Sequence, residues 1–422
     1  MSHEQWCLEH IRSARWFGGK DQPVRLAGLT TLPWWQEPDR DQVGVRSEVA
    51  ELQRPDGGRE FYHLLLAYGP GDTGARDATD DPAACAVLWQ AWRESAGRTG
   101  GATRVRLLGT LPEAPPARRF RGEQSNTSVL YGDLALVKVL RRLMPGPNPD
   151  IQVHERLTRR RSPHAGRLLG LARASWLPAA AGPHDTEVQA DLAMIMEQFP
   201  QARDGWQLAL QACRDNEPFP ARDLGEALGA VHTVLADAWG TEQVPPAELA
   251  GRLRERILEH VAAAPQLAEH AAGLTARIGD LGGAPVTVQR IHGDAHLGQA
   301  LLDRDTWKLI DFEGEPATPI PRRVLPDSPA RDVAGFLRSF GYAAATAAAR
   351  PGARDAWLAD ARKQFLSGWA RTAPVPYDPV LVTAHEAERA AYEVVYEVRN
   401  RPDWVEVPLR DVAGLAAQQE AP

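Results

Sequence analysis

Apolar and polar residues alternate through the first half of the chain, whereas apolar residues recur every three or four positions in the second half. The pattern predicts a β-rich part followed by a helical part. Residues 1–20 read as a short helix ending in a turn at Gly18-Gly19. Val24–Leu32, Val43–Leu52 and Phe61–Tyr68 read as strands, with Pro55-Asp-Gly-Gly58 as a hairpin turn between the last two. A helix over 83–96 and a Gly/Thr-rich boundary at Gly97–Thr103 close a small α+β cap at about residues 1–102. Residues 103–200 are again strand-rich, with Arg119–Gly122, Thr127–Tyr131, Ala135–Leu140, Arg167–Leu177 and Ala190–Phe199 as strands. Between them, the proline-rich loop Met144–Pro149 excludes helix, and Asp150 is placed to cap a helix over Ile151–Arg159. From about 201 to 422 the pattern is helical: Leu224–Trp239, 247–281 as one long helix or a pair, Ser328–Ala349, 354–372 and 379–399. Val286–Ile291 and Trp307–Phe312 are short strands set into this region.

Composition narrows the class. A chain of 422 residues with 43% hydrophobic and 24% charged residues is of ordinary globular make-up and is long enough for two or three domains. A net charge of −7 with only short basic clusters argues against nucleic-acid binding. The three cysteines, Cys7, Cys85 and Cys213, are widely spaced and form no CxxC pair, which argues against a disulfide framework or a thiolate zinc knuckle. The N-terminal segment lacks an apolar signal-like stretch, and no run is long enough to span a bilayer, so a reducing cytoplasm is the expected location. The 13 tryptophans are expected chiefly in cores, although aromatic faces also serve as sugar platforms.

The candidate chemistry lies in Ile291–Gln299 and Leu309–Glu313. Asp294 follows His292-Gly293, Gln299 lies five residues on, and Asp311 ends the apolar strand Leu309-Ile310. Phosphoryl transfer from ATP needs a carboxylate to accept or orient a hydroxyl, and oxygen ligands for Mg²⁺. Protein kinases meet this need with a catalytic-loop Asp, an Asn five residues on, and an Asp in a following Asp-Phe-Gly turn. Here Asp294, Gln299 and the Asp311-Phe-Glu turn have that spacing, so Asp294 is the expected catalytic acid or base, with Gln299 and Asp311 as metal ligands. His292-x-Asp294-x-His296 could alternatively cap a loop or ligate a transition metal. On the kinase reading His292 buttresses the loop, and His296 is either structural or touches substrate.

Upstream, the same chemistry calls for a cation on a strand and a helix carboxylate to hold it. Lys138 within Leu136–Leu140 and Glu155 on the next helix are in the right order, although a strand lysine can also simply face solvent. No glycine-rich phosphate loop and no Walker A sequence are present. Ser125, Asn126 and Thr127 in Gly122–Ser128 are the candidate phosphate contacts. The adenine is expected after Ala193–Met196, against Glu197, Gln198 and Phe199. Asp332, opening a helix, is a candidate to hold the catalytic loop through its backbone amides. A non-catalytic nucleotide-binding module is the rival class.

Longer stretches resemble the actinobacterial-type maltokinases. They are His292–Gln299, Leu309–Pro316, Asp327–Gly335, Glu123–Ser128, Arg141–Asp150, Tyr396–Trp404 and the early Arg15–Lys20, so the likeness spans nearly the whole chain. The resemblance implies an α+β, bilobal, protein-kinase-like fold close to the aminoglycoside phosphotransferases, with an extra N-terminal cap. It also implies ATP-dependent phosphorylation of maltose at the anomeric hydroxyl, giving maltose 1-phosphate for α-glucan synthesis, with trehalose synthase as a partner. Bacterial glucosamine kinases look alike in the catalytic loop but tend towards Asp-Phe-Asp-Gly-Asn, where this chain has Asp311-Phe-Glu-Gly-Glu315. A kinase of glucosamine or an aminoglycoside is the alternative. The C-terminal Tyr392–Trp404 stretch offers aromatic faces and polar groups at helical spacing, or else an ordinary ion-paired surface helix. The resemblance favours Tyr396, Glu397, Arg401 and Trp404 as acceptor-site residues.

Overall fold

The computed structural model describes residues 1–18, 23–69, 74–95, 102–122, 125–179, 186–279, 281–315, 318, 320–347 and 350–417. They form two compact units, Met1–Glu155 with Gly166–Pro200, and Arg156–Ala165 with Gln201–Pro422. No helix among the described residues is long and apolar enough to cross a membrane.

The first unit holds two antiparallel sheets. Arg25–Gln36, Gly44–Gln53, Arg59–Tyr68 and Ala75–Asp77 lie side by side, and the short Arg142–Leu143 pairs with Arg59–Tyr68. The second sheet runs in the order Thr103–Leu107, Leu168–Trp176, Val188–Glu197, Ala135–Val139, Thr127–Tyr131, Ala117–Arg119. One apolar cluster serves both sheets, because Leu65 and Val49 from the first share it with Val137, Met194 and Trp176 from the second. Trp89 and Trp92 on the helix Pro82–Ser95 are fully buried in it. The hairpin turn closes as expected, with Gly57 at φ 87° and the Arg54 amide donating to the Gly58 carbonyl. A buried guanidinium, Arg141, joins the two sheets. It donates to Asp77 Oδ2 at 2.6 Å and to Thr127 Oγ1 at 2.8 Å, and its charge is balanced by Asp77.

The helix after the proline-rich loop runs Pro149–Arg159, but its cap is not Asp150. Asn148 Oδ1 accepts from the amides of Asp150 and Ile151 at 2.9 and 3.3 Å, which satisfies two of the free N–H groups of the first turn. That leaves the Asp150 side chain available for other work.

The second unit is built around the helix Pro379–Asn400, whose neighbours include Ala330–Thr346 and Pro246–Ala263. Ala221–Trp239 lies against Pro351–Thr372 at backbone distance: a Cβ on Gly225 would sit 2.1 Å from the Phe365 carbonyl oxygen. The 247–281 region resolves into a pair, Pro246–Ala263 and Ala271–Ile278, separated by a 3₁₀ turn at Pro265–His270. Two small sheets complete the unit, Thr241–Val244 with Val286–Gln289, and Arg203–Asp204 with Ala300–Asp303 and Thr306–Leu309. The second sheet presents both halves of the candidate motif from one hairpin.

Candidate active site

Asp294 stands on a loop leaving the strand Val286–Gln289, and the loop is fixed by Asp332 at the start of the helix Ala330–Thr346. The amides of His292 and Gly293 donate to Asp332 Oδ2 and Oδ1 at 2.7 and 2.9 Å. On its other side Asp332 accepts from His232 Nε2 at 2.9 Å; the Nδ1 of that ring accepts from Trp369, which fixes the tautomer. Burial disfavours the charge on Asp332, but His232, His292 and the loop amides outweigh it and hold the carboxyl below its ordinary range.

Gly293 takes φ 84° and Gly314 takes φ 75°, so the two loops turn sharply where they approach each other. A Cβ on Gly293 would sit 3.3 Å from Gly314 Cα. The helix touches the loop backbone to backbone, since a Cβ on Gly335 would lie 2.2 Å from the Ala295 carbonyl oxygen. Gly335→Ala is therefore expected to displace the loop, costing about 1–3 kcal/mol of stability together with most of the turnover. Gly341→Ala on the same helix meets nothing within 4 Å and should be neutral or slightly stabilising. Thermal melts and steady-state rates on the two variants check the contrast; equal behaviour would contradict the close approach.

Both histidines of the triplet are committed to the loop. His292 Nδ1 accepts from the Asp294 amide at 3.3 Å, so its Nε2–H donates to the Ile310 carbonyl at 3.0 Å. His296 Nδ1 accepts from the Gly298 amide at 3.1 Å, capping the 3₁₀ turn Leu297–Gln299, and its Nε2 lies 3.9 Å from Asp294 Oδ2. With both His292 nitrogens bonded within the loop, the triplet is not arranged as a transition-metal site. His296 thus caps the turn through Nδ1 while its Nε2 faces Asp294.

Arg389, which the sequence reading did not single out, and Glu315, read there only as part of the Asp311–Glu315 stretch, complete the setting of Asp294. Arg389 donates from NH2 to Asp294 Oδ1 at 3.4 Å and from NH1 to Glu315. Glu315 in turn receives Arg331 NH2 at 2.9 Å, and Arg331 reaches Asp327 at 3.2 Å. All of these side chains are buried or nearly so. Burial pushes the Asp294 carboxyl up, and His296, Arg389 and His292 more than offset it, so the group is held below the ordinary carboxylate range. Asp294 is thus an ionised carboxylate at neutral pH, held in one orientation. An arginine amid the apolar face of the helix Pro379–Asn400 was the available signal for Arg389, because a buried guanidinium needs a partner.

Asp311 ends the hairpin at φ 64°, a left-handed conformation that side chains other than glycine seldom adopt, and it sits beside Gln299, whose Nε2 lies 3.4 Å from Asp311 Oδ2. An amide carbonyl and a carboxylate, both oxygen donors, fit a hard divalent cation such as Mg²⁺. When bound, that ion would neutralise charge on transferring phosphate oxygens.

The C-terminal candidates divide. Glu397 is buried, bonded to Arg401 at 2.8 Å and to Tyr342 at 3.3 Å, and so acts as scaffold. Tyr396 and Trp404 are 39% and 38% exposed, with the Arg401 guanidinium 5.6 and 5.4 Å from their ring centres. They offer flat faces for a ring.

In the first unit, Lys138 donates to Asp150 Oδ2 at 2.9 Å, which gives this lysine a carboxylate partner on the following helix. The expectation for Glu155 is corrected: its two oxygens receive Arg106 in a fork at 2.9 Å each. Asn126 and Thr127 are also corrected, because their side chains accept from Arg141 at 3.1 and 2.8 Å and hold the strand start instead of facing outwards. Ser125 is exposed, while Glu123 and Gln124 of the same loop lie outside the described residues. The Glu197 amide is used on the Arg167 carbonyl at 2.9 Å and its carboxylate on the Arg167 side chain, which removes that amide as a base contact. Phe199 packs near Gly166.

No protein-family model matches the chain. It is 31% identical over 412 residues to the glucosamine kinase of Mycolicibacterium smegmatis, covering 91% of this chain and 94% of that protein. It is 30% identical over 340 residues to the glucosamine kinase of Streptacidiphilus jiangxiensis, covering 72% and 74%. Among solved structures, glucosamine kinase in complex with glucosamine, ADP and inorganic phosphate superposes with TM-score 0.67 at 24% identity, covering 96% of this chain and 98% of that one. Crystal form B of glucosamine kinase superposes with TM-score 0.71 at 24% identity, covering 96% of each. The fold is therefore that of these kinases, and at this identity and coverage the chain belongs to the glucosamine kinase family.

Proposed function

We propose that this protein transfers the γ-phosphate of ATP to a hydroxyl of a sugar, with glucosamine as the acceptor. The observation that carries the reading is Asp294, an ionised carboxylate clamped by Arg389 next to the oxygen pair Gln299 and Asp311. Lys138, held by Asp150, supplies the cation for the α- and β-phosphates. Gln299 and Asp311 hold Mg²⁺. Asp294 orients the acceptor hydroxyl and takes its proton as the O–P bond forms. The two curated relatives support glucosamine by their names and their coverage.

A second acceptor, maltose, is favoured by a separate observation. Tyr396 and Trp404 keep 39% and 38% of their surface exposed, and an aromatic face suits a pyranose ring. On this second reading the product is maltose 1-phosphate, destined for α-glucan synthesis, with trehalose synthase as the partner that supplies maltose.

ATP consumption by the purified protein, measured against glucosamine, maltose, maltotriose, glucose and an aminoglycoside, separates the two. Glucosamine should give the highest kcat/KM. Maltose turning over in its place would establish the second reading, and no turnover with any sugar would sink both.

A further inference from the structure

The structure assigns a metal site to the N-terminal helix, built by His3, Cys7 and Glu48, for a borderline-soft divalent cation of the zinc class. It lies in the first unit and is independent of the kinase reading. His3 and Cys7 are one turn apart on the helix His3–Ser13, so their side chains share a face, and Glu48 reaches them from the neighbouring strand Gly44–Gln53. One ligand atom from each lies within 4.8 Å of the other two. His3 Nε2 is 3.7 Å from Cys7 Sγ and 2.7 Å from Glu48 Oε2. The nitrogen–sulfur spacing is already that of donors about 2.0–2.3 Å from one ion, and the nitrogen–oxygen pair opens by about half an ångström to reach it.

The carboxylate is oriented for this role. Glu48 Oε1 receives Arg46 Nε at 2.8 Å and the Tyr68 hydroxyl at 2.8 Å, leaving Oε2 turned towards His3 and Cys7. Such bonds to the non-ligating oxygen are what holds a metal-binding carboxylate in place. Arg46 also lies over the rings of Trp34 and Tyr68, which share its charge. Cys7 and Glu48 are buried, and the partly exposed His3 gives the ion its way in. As the ion binds, the Cys7 thiol loses its proton to solvent and the sulfur pair forms the metal bond. Thiolate and carboxylate together balance a charge of two, and water completes a tetrahedral set.

Co²⁺ added to the full chain is the test. One equivalent should produce a near-ultraviolet thiolate-to-cobalt charge-transfer band and tetrahedral visible bands, both displaced by Zn²⁺. The oxygen pair Gln299 and Asp311 cannot give the charge-transfer band, and the Cys7 variant separates the new site from Cys85 and Cys213. Cys7→Ser should abolish the band. His3→Gln should weaken binding by at least the about 10–100-fold that loss of an outer-shell partner costs, with far-ultraviolet dichroism and sugar-kinase turnover unchanged. Should Cys7→Ser fail to fold, His3→Gln decides alone. The absence of a charge-transfer band in the parent protein, or undiminished binding in His3→Gln, overturns the assignment.

Discussion

Turnover of the Asp294→Asn protein falls by a factor of about 10²–10⁴, while its affinity for ATP stays that of the parent. The amide keeps the shape of the carboxylate and can still meet Arg389, whose NH2 stands 3.4 Å from Oδ1. It cannot accept a proton, and it removes the negative charge that fixes the incoming hydroxyl. The loop should stay in place, because its amides are bonded to Asp332 and not to Asp294. Steady-state rates with calorimetric ATP titration check this pair of outcomes. A rate close to that of the parent would remove Asp294 from the chemistry.

A comparable effect on stability is expected from Glu315→Gln. This carboxylate accepts from two buried guanidiniums at once, Arg331 and Arg389. Neutralising it leaves two positive charges close together, with Asp327 and Asp294 as their remaining ion pairs among the described residues. Removing one member of such a buried set costs about 3–5 kcal/mol. Urea unfolding followed by tryptophan fluorescence reads the loss, and a change under about 1 kcal/mol would mean that water already screens the cluster. Turnover should fall in parallel, because Arg389 loses the anchor that aims it at Asp294. The Asp311-Phe-Glu-Gly-Glu315 spelling, read from sequence as a mark of acceptor choice, thus includes a residue that works on scaffold and base rather than on the sugar directly.

Period and turn chemistry made most elements legible. Gly44–Gln53 and Arg59–Tyr68 pair where alternation and the Pro55–Gly58 turn placed them. The helix Ala221–Trp239 matches its apolar spacing within a few residues. The candidate loop could be singled out for a different reason, since acids and an amide at fixed offsets are dense in functional groups and local in sequence. The errors came where two equivalent side chains competed for one role. Asn148 and Asp150 can each cap a helix, and Asn148 does so because the chain enters the helix one residue before Asp150. With Asp150 free to meet Lys138, Glu155 on the following turn goes to Arg106. Asn126 and Thr127 looked like phosphate contacts because they are small and polar, yet Arg141, distant in sequence, claims both. Arg389 was missed because its partners, Asp294 and Glu315, lie more than seventy residues away and no local spacing announces them.

The clamp of Asp332 on the amides of His292 and Gly293 spans 40 and 39 positions of chain. Closing so long a segment costs entropy before any contact repays it. The local bonds of His292 and His296 shape the loop but do not place it, so Asp294 is expected to reach its position once the helix Ala330–Thr346 has docked. In folding terms the candidate site is expected late in assembly, so regain of turnover should follow the docking of that helix and not precede it.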